Sequence, residues 1–179
     1  MNVTEKKLVQ LVRRISERGH LKSIKAEFEA EGTRSDELLR LLDVTRNCNV
    51  PLTLKIGGCE AVKDLYEARQ FGARYIVAPM IESDYALSKF CDTIDKVYPA
   101  EEASDVDFLF NVETIQAYTF FDDILKVAIA SPVINGVVFG RTDFSGSLGM
   151  KGDVQNEKIT DCIEVIAAKL LDTNLDLVV

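Results

Sequence analysis

The chain has 179 residues, 47% of them hydrophobic, four cysteines and a formal net charge of −8, a composition that folds around a core of its own. The acidic balance disfavours a nucleic-acid backbone or an anionic membrane as partner, because both need a basic footprint. No run of about 18 apolar residues exists to span a bilayer, and the first residues, "MNVTEKK", lack the apolar core of a signal peptide, so a cytoplasmic protein is expected.

Hydrophobic periodicity switches repeatedly between helical and extended patterns. Thr4 is read as the cap of a first helix whose Leu8, Leu11, Val12 and Ile15 form one apolar stripe, with His20 near its C-terminal end. Strand "SIKAEFEA" follows, then Ser35 as cap of helix "DELLRLLDVTRN", strand "PLTLKIG" and helix "EAVKDLYEARQFG" closed by Gly72. Next come strand "RYIVAPMIE", helix "DYALSKFCDTIDKVY" stopped by Pro99, an acidic loop "AEEASD", and strand "DFLFNVE". Helix "TIQAYTFFDDILKVAIAS" leads to a fifth strand, "INGVVFG", and a small-residue loop from Ser145 to Gly149. Helix "EKITDCIEVIAAKLLDT" and the strand-like "LDLVV" end the chain.

Strands alternating with helices predict a parallel sheet with helical crossovers, either doubly wound or closed as a barrel. Strand faces favour the barrel: Phe108, Phe110 and Val112 oppose Leu109, Asn111 and Glu113, and Leu52, Leu54 and Ile56 oppose Thr53 and Lys55. A doubly covered open sheet would favour nearly continuous apolar strands. A complete (β/α) barrel takes about 250 residues and eight strands, so the expectation is a single, incomplete TIM-type barrel of six strands, truncated at its C-terminus or closed by another chain. The cysteines Cys48, Cys59, Cys91 and Cys162 form no metal or disulfide spacing and are read as reduced thiols.

Ligands of parallel α/β folds gather at the C-terminal strand ends. Those ends hold Glu27, Glu29 and Glu31, Lys55 with Gly57 and Gly58, Met80 and Glu82, Asn111 and Glu113, and Arg141 with Asp143. Carboxylates at this density suit a hard divalent ion, Mg²⁺ or Mn²⁺, with Glu113 and Asp143 as the preferred pair. Taken singly, these residues also have plainer readings: Glu113 as a salt-bridged strand end, Asp143 as a helix cap, Lys55 as a structural partner of Glu27 or Glu29, and Arg141 as the partner of a rim acid.

The segments "GARYIVAPMIES", "FNVET" and "GVVFGRTDFSGSLG" resemble, in order and spacing, the strand-end motifs of the HpcH/HpaI aldolase and citrate lyase family, from about Ile24 to Ile159. The resemblance implies a barrel of the pyruvate and phosphoenolpyruvate superfamily, a metal-dependent carbon–carbon lyase acting on a small 2-keto acid or related carboxylic acid through an enolate. It matches Glu113 and Asp143 to the family's metal carboxylates and Lys55 to the position of its substrate-gripping arginine. Gly140, Arg141 and Thr142 then belong to the substrate-binding turn, with Lys55 adding a cation. The family's habit of assembling implies a homo-oligomer. The sequence departs from the pattern at the family's early-strand histidine, where Ala30 or a neighbour stands and Glu29 or Glu31 is the substitute base, and at Arg141, where proline is frequent. A noncatalytic barrel that binds a small acid or a metal, or serves an assembly, is the competing expectation.

Overall fold

The computed structural model describes residues 1–19, 21–150 and 152–179; His20, read above as a helix-end residue, lies outside the described residues. Six strands, β1 Ile24–Glu27, β2 Leu52–Lys55, β3 Tyr75–Ala78, β4 Asp107–Val112, β5 Ile134–Phe139 and β6 Asp176–Val178, form one sheet in the order β1-β2-β3-β4-β5-β6. Every adjacent pair is parallel. The sheet does not close: β1 and β6 are its two edges. This is the incomplete-barrel order that the alternation of elements predicts, since a parallel neighbour requires a helical crossover.

The helices are α1 Val3–Ser16, α2 Ser35–Cys48, α3 Val62–Phe71, α4 Asp84–Val97, α5 Ala100–Ala103, α6 Ile115–Thr119, α7 Phe121–Ala130, α8 Arg141–Ser147 and α9 Glu157–Leu170. Alternation along each strand sends one face to the helices. Leu54, Ile76, Phe108, Phe110, Val112 and Phe139 enter a single core with Leu65, Phe90, Phe121, Ile124 and Ile166. Phe108, Phe110 and Phe121 are fully buried, each stabilising the fold by roughly 1.5–3 kcal/mol relative to exposure. The opposite face, with Thr53, Tyr75, Val77, Leu109, Asn111 and Val138, lines a concave cavity of about 230 Å³ on the inner side of the sheet.

Several local expectations are corrected. Asn2, not Thr4, caps α1: its side chain accepts from Glu5 N–H at 2.9 Å and Glu5 Oε2 accepts from Asn2 N–H at 2.6 Å. Val9 and Val12 are the buried residues of α1, whereas Leu8, Leu11 and Ile15 are exposed, because the contact with α2 selects a face rotated from the expected stripe. Arg34 occupies the cap position of α2, with Ser35 as its first helical residue. The acidic loop contains the short helix α5, and the long helix expected over 114–131 breaks at Phe120 into α6 and α7. The small-residue segment is not a loop at its start. It folds as α8, with Phe144 fully buried and the hydroxyls of Ser145 and Ser147 donating to Thr142 O and Phe144 O, both at 2.8 Å.

Candidate active site

Register sets the strand ends side by side. Lys55 pairs with Glu27 on one side and Val77 on the other, and Val112 pairs with Phe139, so the residues leaving these strands share one rim. Glu113 is the first residue after β4 and is 1% exposed. A buried carboxylate needs donors on its oxygens, and the fold supplies three. Met80 N–H donates to Oε1 at 2.9 Å, Asn111 Nδ2 donates to Oε2 at 2.6 Å, and Lys55 Nζ lies 3.2 Å from Oε2.

Met80 reaches that geometry through a left-handed backbone, φ 51°, an uncommon state for a non-glycine residue that turns its N–H back toward β4. Gly140 completes the wall. Its N–H donates to Val112 O at 3.0 Å, and a Cβ placed on it would stand 2.6 Å from Glu113 Cβ and 2.9 Å from Glu113 Oε2. Only glycine permits β5 to pass this close to the carboxylate.

Lys55 is 5% exposed and bridges two acids: its Nζ is 2.8 Å from Glu29 Oε2 as well as 3.2 Å from Glu113 Oε2. Burial pulls the ammonium's pKa down, but the ion pair with Glu29 and the charge and hydrogen bond of Glu113 outweigh it, leaving a net upward shift. Lys55 is therefore a fixed positive charge, not a base, at neutral pH. Of the two rim acids offered as its partner, Glu29 is the one that reaches it. Glu27 pairs with Lys25, Glu82 accepts from Thr114 Oγ1 at 2.7 Å, and Glu31 is exposed.

Asp143 sits exposed in the first turn of α8 and, among the described residues, makes no ion pair. Gly140 N–H is committed to Val112 O, so the amides left at this turn are those of Arg141, Thr142 and Asp143, which precede the first helical bond, Phe144 N–H to Gly140 O. Arg141 does not bind a rim acid among the described residues; its Nε is buried without a hydrogen-bond partner there. Sequence reasoning missed Met80 as an anchor, since a backbone donor leaves no mark on residue type, and gave Asn111 no role beside Glu113.

Among the described residues no three Asp, Glu, His or Cys side chains gather into an all-protein metal cage. A hard divalent ion needs only one or two carboxylates and otherwise keeps water. The oxygen donors of Glu113 and Asp143 are of that kind, and Glu113 Oε1, with Met80 N–H as its one donor among the described residues, retains a lone pair.

An open parallel sheet with a buried, multiply anchored carboxylate at its C-terminal rim puts the candidate site where (β/α) barrels carry theirs. The chain belongs to the HpcH/HpaI aldolase/citrate lyase family, whose model matches residues 34–178. Membership supports a lyase-type enzyme acting on a small carboxylic acid. Among solved structures the chain is similar to an HpcH/HpaI aldolase from Desulfitobacterium hafniense DCB-2 (18% identity, TM-score 0.74, 94% of this chain and 71% of that one). It is also similar to the citrate synthase SbnG (14%, 0.74, 94% and 71%). A third, an HpcH/HpaI aldolase/citrate lyase family protein from Burkholderia cenocepacia J2315, aligns over 99% of this chain and 83% of its own at 14% identity and TM-score 0.74. At these identities the likeness is one of fold. No curated protein matches the chain. Among the described residues no helix is long and apolar enough to cross a membrane.

Proposed function

We propose that this chain is a divalent-metal-dependent carbon–carbon lyase of the aldolase or citrate-lyase type, acting on a small 2-keto acid through an enolate. The observation that carries the reading is the buried Glu113, held by Met80 N–H, Asn111 and Lys55 at the meeting of β2, β3, β4 and β5. Three donors fix the carboxylate's orientation, which is the preorganisation a ligand-holding side chain requires. Glu113 and Asp143 would hold Mg²⁺ or Mn²⁺, and such an ion supplies Lewis-acid neutralisation of the charge that develops on the keto oxygen.

The remaining work belongs to the chain's own groups. The amides of Arg141 and Thr142 receive the substrate carboxylate, with Gly140 holding the turn against Glu113. Lys55 adds a fixed positive field beside the reacting carbons, while Glu29, 2.8 Å from Lys55 Nζ, is the carboxylate placed to accept and return a proton. A citrate synthase among the structural relatives supports an organic-acid substrate. The competing reading, a barrel that binds an acid or metal without turnover, has one observation in its favour: Lys55 already has both carboxylates as partners. A cytoplasmic homo-oligomer is part of the proposal.

Calorimetric titration of Mg²⁺ and pyruvate into the parent and Glu113→Gln proteins tests the assignment. Removal of the charge should weaken both ligands on the order of 10-fold or more. Equal affinities in the two proteins would remove its basis.

A further inference from the structure

We propose that the outer face of α1 docks into the groove between α4 and α7 of a second copy of this chain. This deepens the homo-oligomer of the reading above by naming its interface, and it does not depend on the chemistry at the rim.

α1 is covered on one side only. Val9 and Val12 are buried with Val44 and Cys48 of α2, whereas Leu8, Leu11 and Ile15 remain 40%, 51% and 39% exposed. Their spacing, i, i+3 and i+7, sets them on one face, the anchor pattern of a helix that lies in a groove. Lys7 and Arg14, two helical turns apart and both exposed, border that face. The helix carries Lys6, Lys7, Arg13 and Arg14 against a single acid, Glu5, which is itself paired with Arg40, in a chain of net charge −8.

The matching surface is an open groove of about 460 Å³ between α4 and α7. Cys91, Val127, Ala130, Pro132 and Val133 give it an apolar lining, and Asp92 and Asp95 line it as exposed carboxylates. The cation beside them, Lys126, is held by Asp123 at 2.7 Å. An apolar stripe edged with positive charge therefore meets an apolar groove edged with negative charge. Within one copy α1 packs on α2 beside the edge strand β1, whereas α4 and α7 follow β3 and β4 in the middle of the sheet, so the helix that fills the groove comes from another copy. Burial of the leucines and isoleucine supplies the attraction. The charges fix the pairing, because α1 against α1, or groove against groove, sets like charges together. Such a contact is heterologous, and copies related by a closing rotation form a ring.

Sedimentation velocity on the full chain from about 1 to 100 μM tests the interface, with circular dichroism confirming that each variant is folded. The parent should assemble. Lys7→Glu/Arg14→Glu and Asp92→Lys/Asp95→Lys should each weaken assembly about 10-fold or more. Mixing the two variants in equal amounts should restore it, since the reversed helix of one then faces the reversed groove of the other. A parent that assembles while either variant assembles equally well overturns the inference alone, as does a mixture no more associated than its components. A parent that is monomeric throughout overturns the inference together with the homo-oligomer, and its cosedimentation with phosphatidylserine vesicles would assign the stripe to a membrane surface instead.

Discussion

Lys55 Nζ lies 3.2 Å from Glu113 Oε2 and shares its charge with Glu29 Oε2 at 2.8 Å. With Glu113 1% exposed, removing the lysine leaves a buried carboxylate without its cation. Lys55→Met should cost about 3–5 kcal/mol, read as a lower urea midpoint. Adding Glu113→Gln should recover part of the loss, because the second change removes the stranded charge. A single variant as stable as the parent would show that the bridge contributes nothing to the fold.

The same contacts set a pH dependence. The folded-state pKa of Lys55 is raised above its ordinary 10.5, the partners outweighing burial. A raised folded pKa means that the contribution is fully present below 10.5 and is lost as pH rises through the higher folded value. Burial pushes the Tyr98 phenol up as well, so it adds an alkaline loss of the same sign. Thermal melts between about pH 9 and 12 should show a fall in Tm that persists in Tyr98→Phe and flattens when Lys55→Met is added. An unaltered alkaline slope in the double variant would contradict the assignment.

The sheet was legible because the hydrophobic period changes from helix to strand at each element, and because strands such as 107–113 separate Phe108, Phe110 and Val112 from Leu109 and Asn111 by simple alternation. The rim was legible for the same reason: strand ends in a parallel sheet share one edge, which placed Lys55, Glu29 and Glu113 together before any contact was known. What the pattern did not carry was set by tertiary contact or main chain. Ser145, Gly146 and Ser147 have weak helix propensity, yet the burial of Phe144 and two hydroxyl-to-carbonyl bonds make α8. The break at Phe120 has no proline or glycine to announce it. Met80 acts through its amide, and the choice between Glu27 and Glu29 depended on Lys25 capturing the former.

Gly140 is the position where space is most restrictive. Gly140→Ala would set a methyl group 2.6 Å from Glu113 Cβ, so β5 or the carboxylate must shift. Overpacking of this kind costs about 1–3 kcal/mol, and activity should fall further than stability because Glu113 moves. Denaturation and Mg²⁺ titration on the same sample separate the two effects; an alanine protein with parental metal affinity would contradict the close approach.

Gly136 plays the corresponding part at the edge of the sheet. A Cβ there would stand 2.7 Å from Asp176 O, in the ladder that joins β5 to β6. Gly136→Ala should loosen β6, seen as faster amide exchange at residues 176–178 with exchange in β2 and β3 little altered. Parental protection at 176–178 would show that the pairing tolerates a side chain.

The central claim, that this rim enolises a 2-keto acid, is tested most directly by proton NMR of pyruvate in D₂O with Mg²⁺ and the protein. The account predicts that the methyl signal is lost through deuterium exchange in the parent, and that the exchange is abolished by chelation and by Glu113→Gln. Pyruvate that binds in the presence of Mg²⁺ while its methyl protons persist as in protein-free buffer would contradict it and identify a binding protein instead.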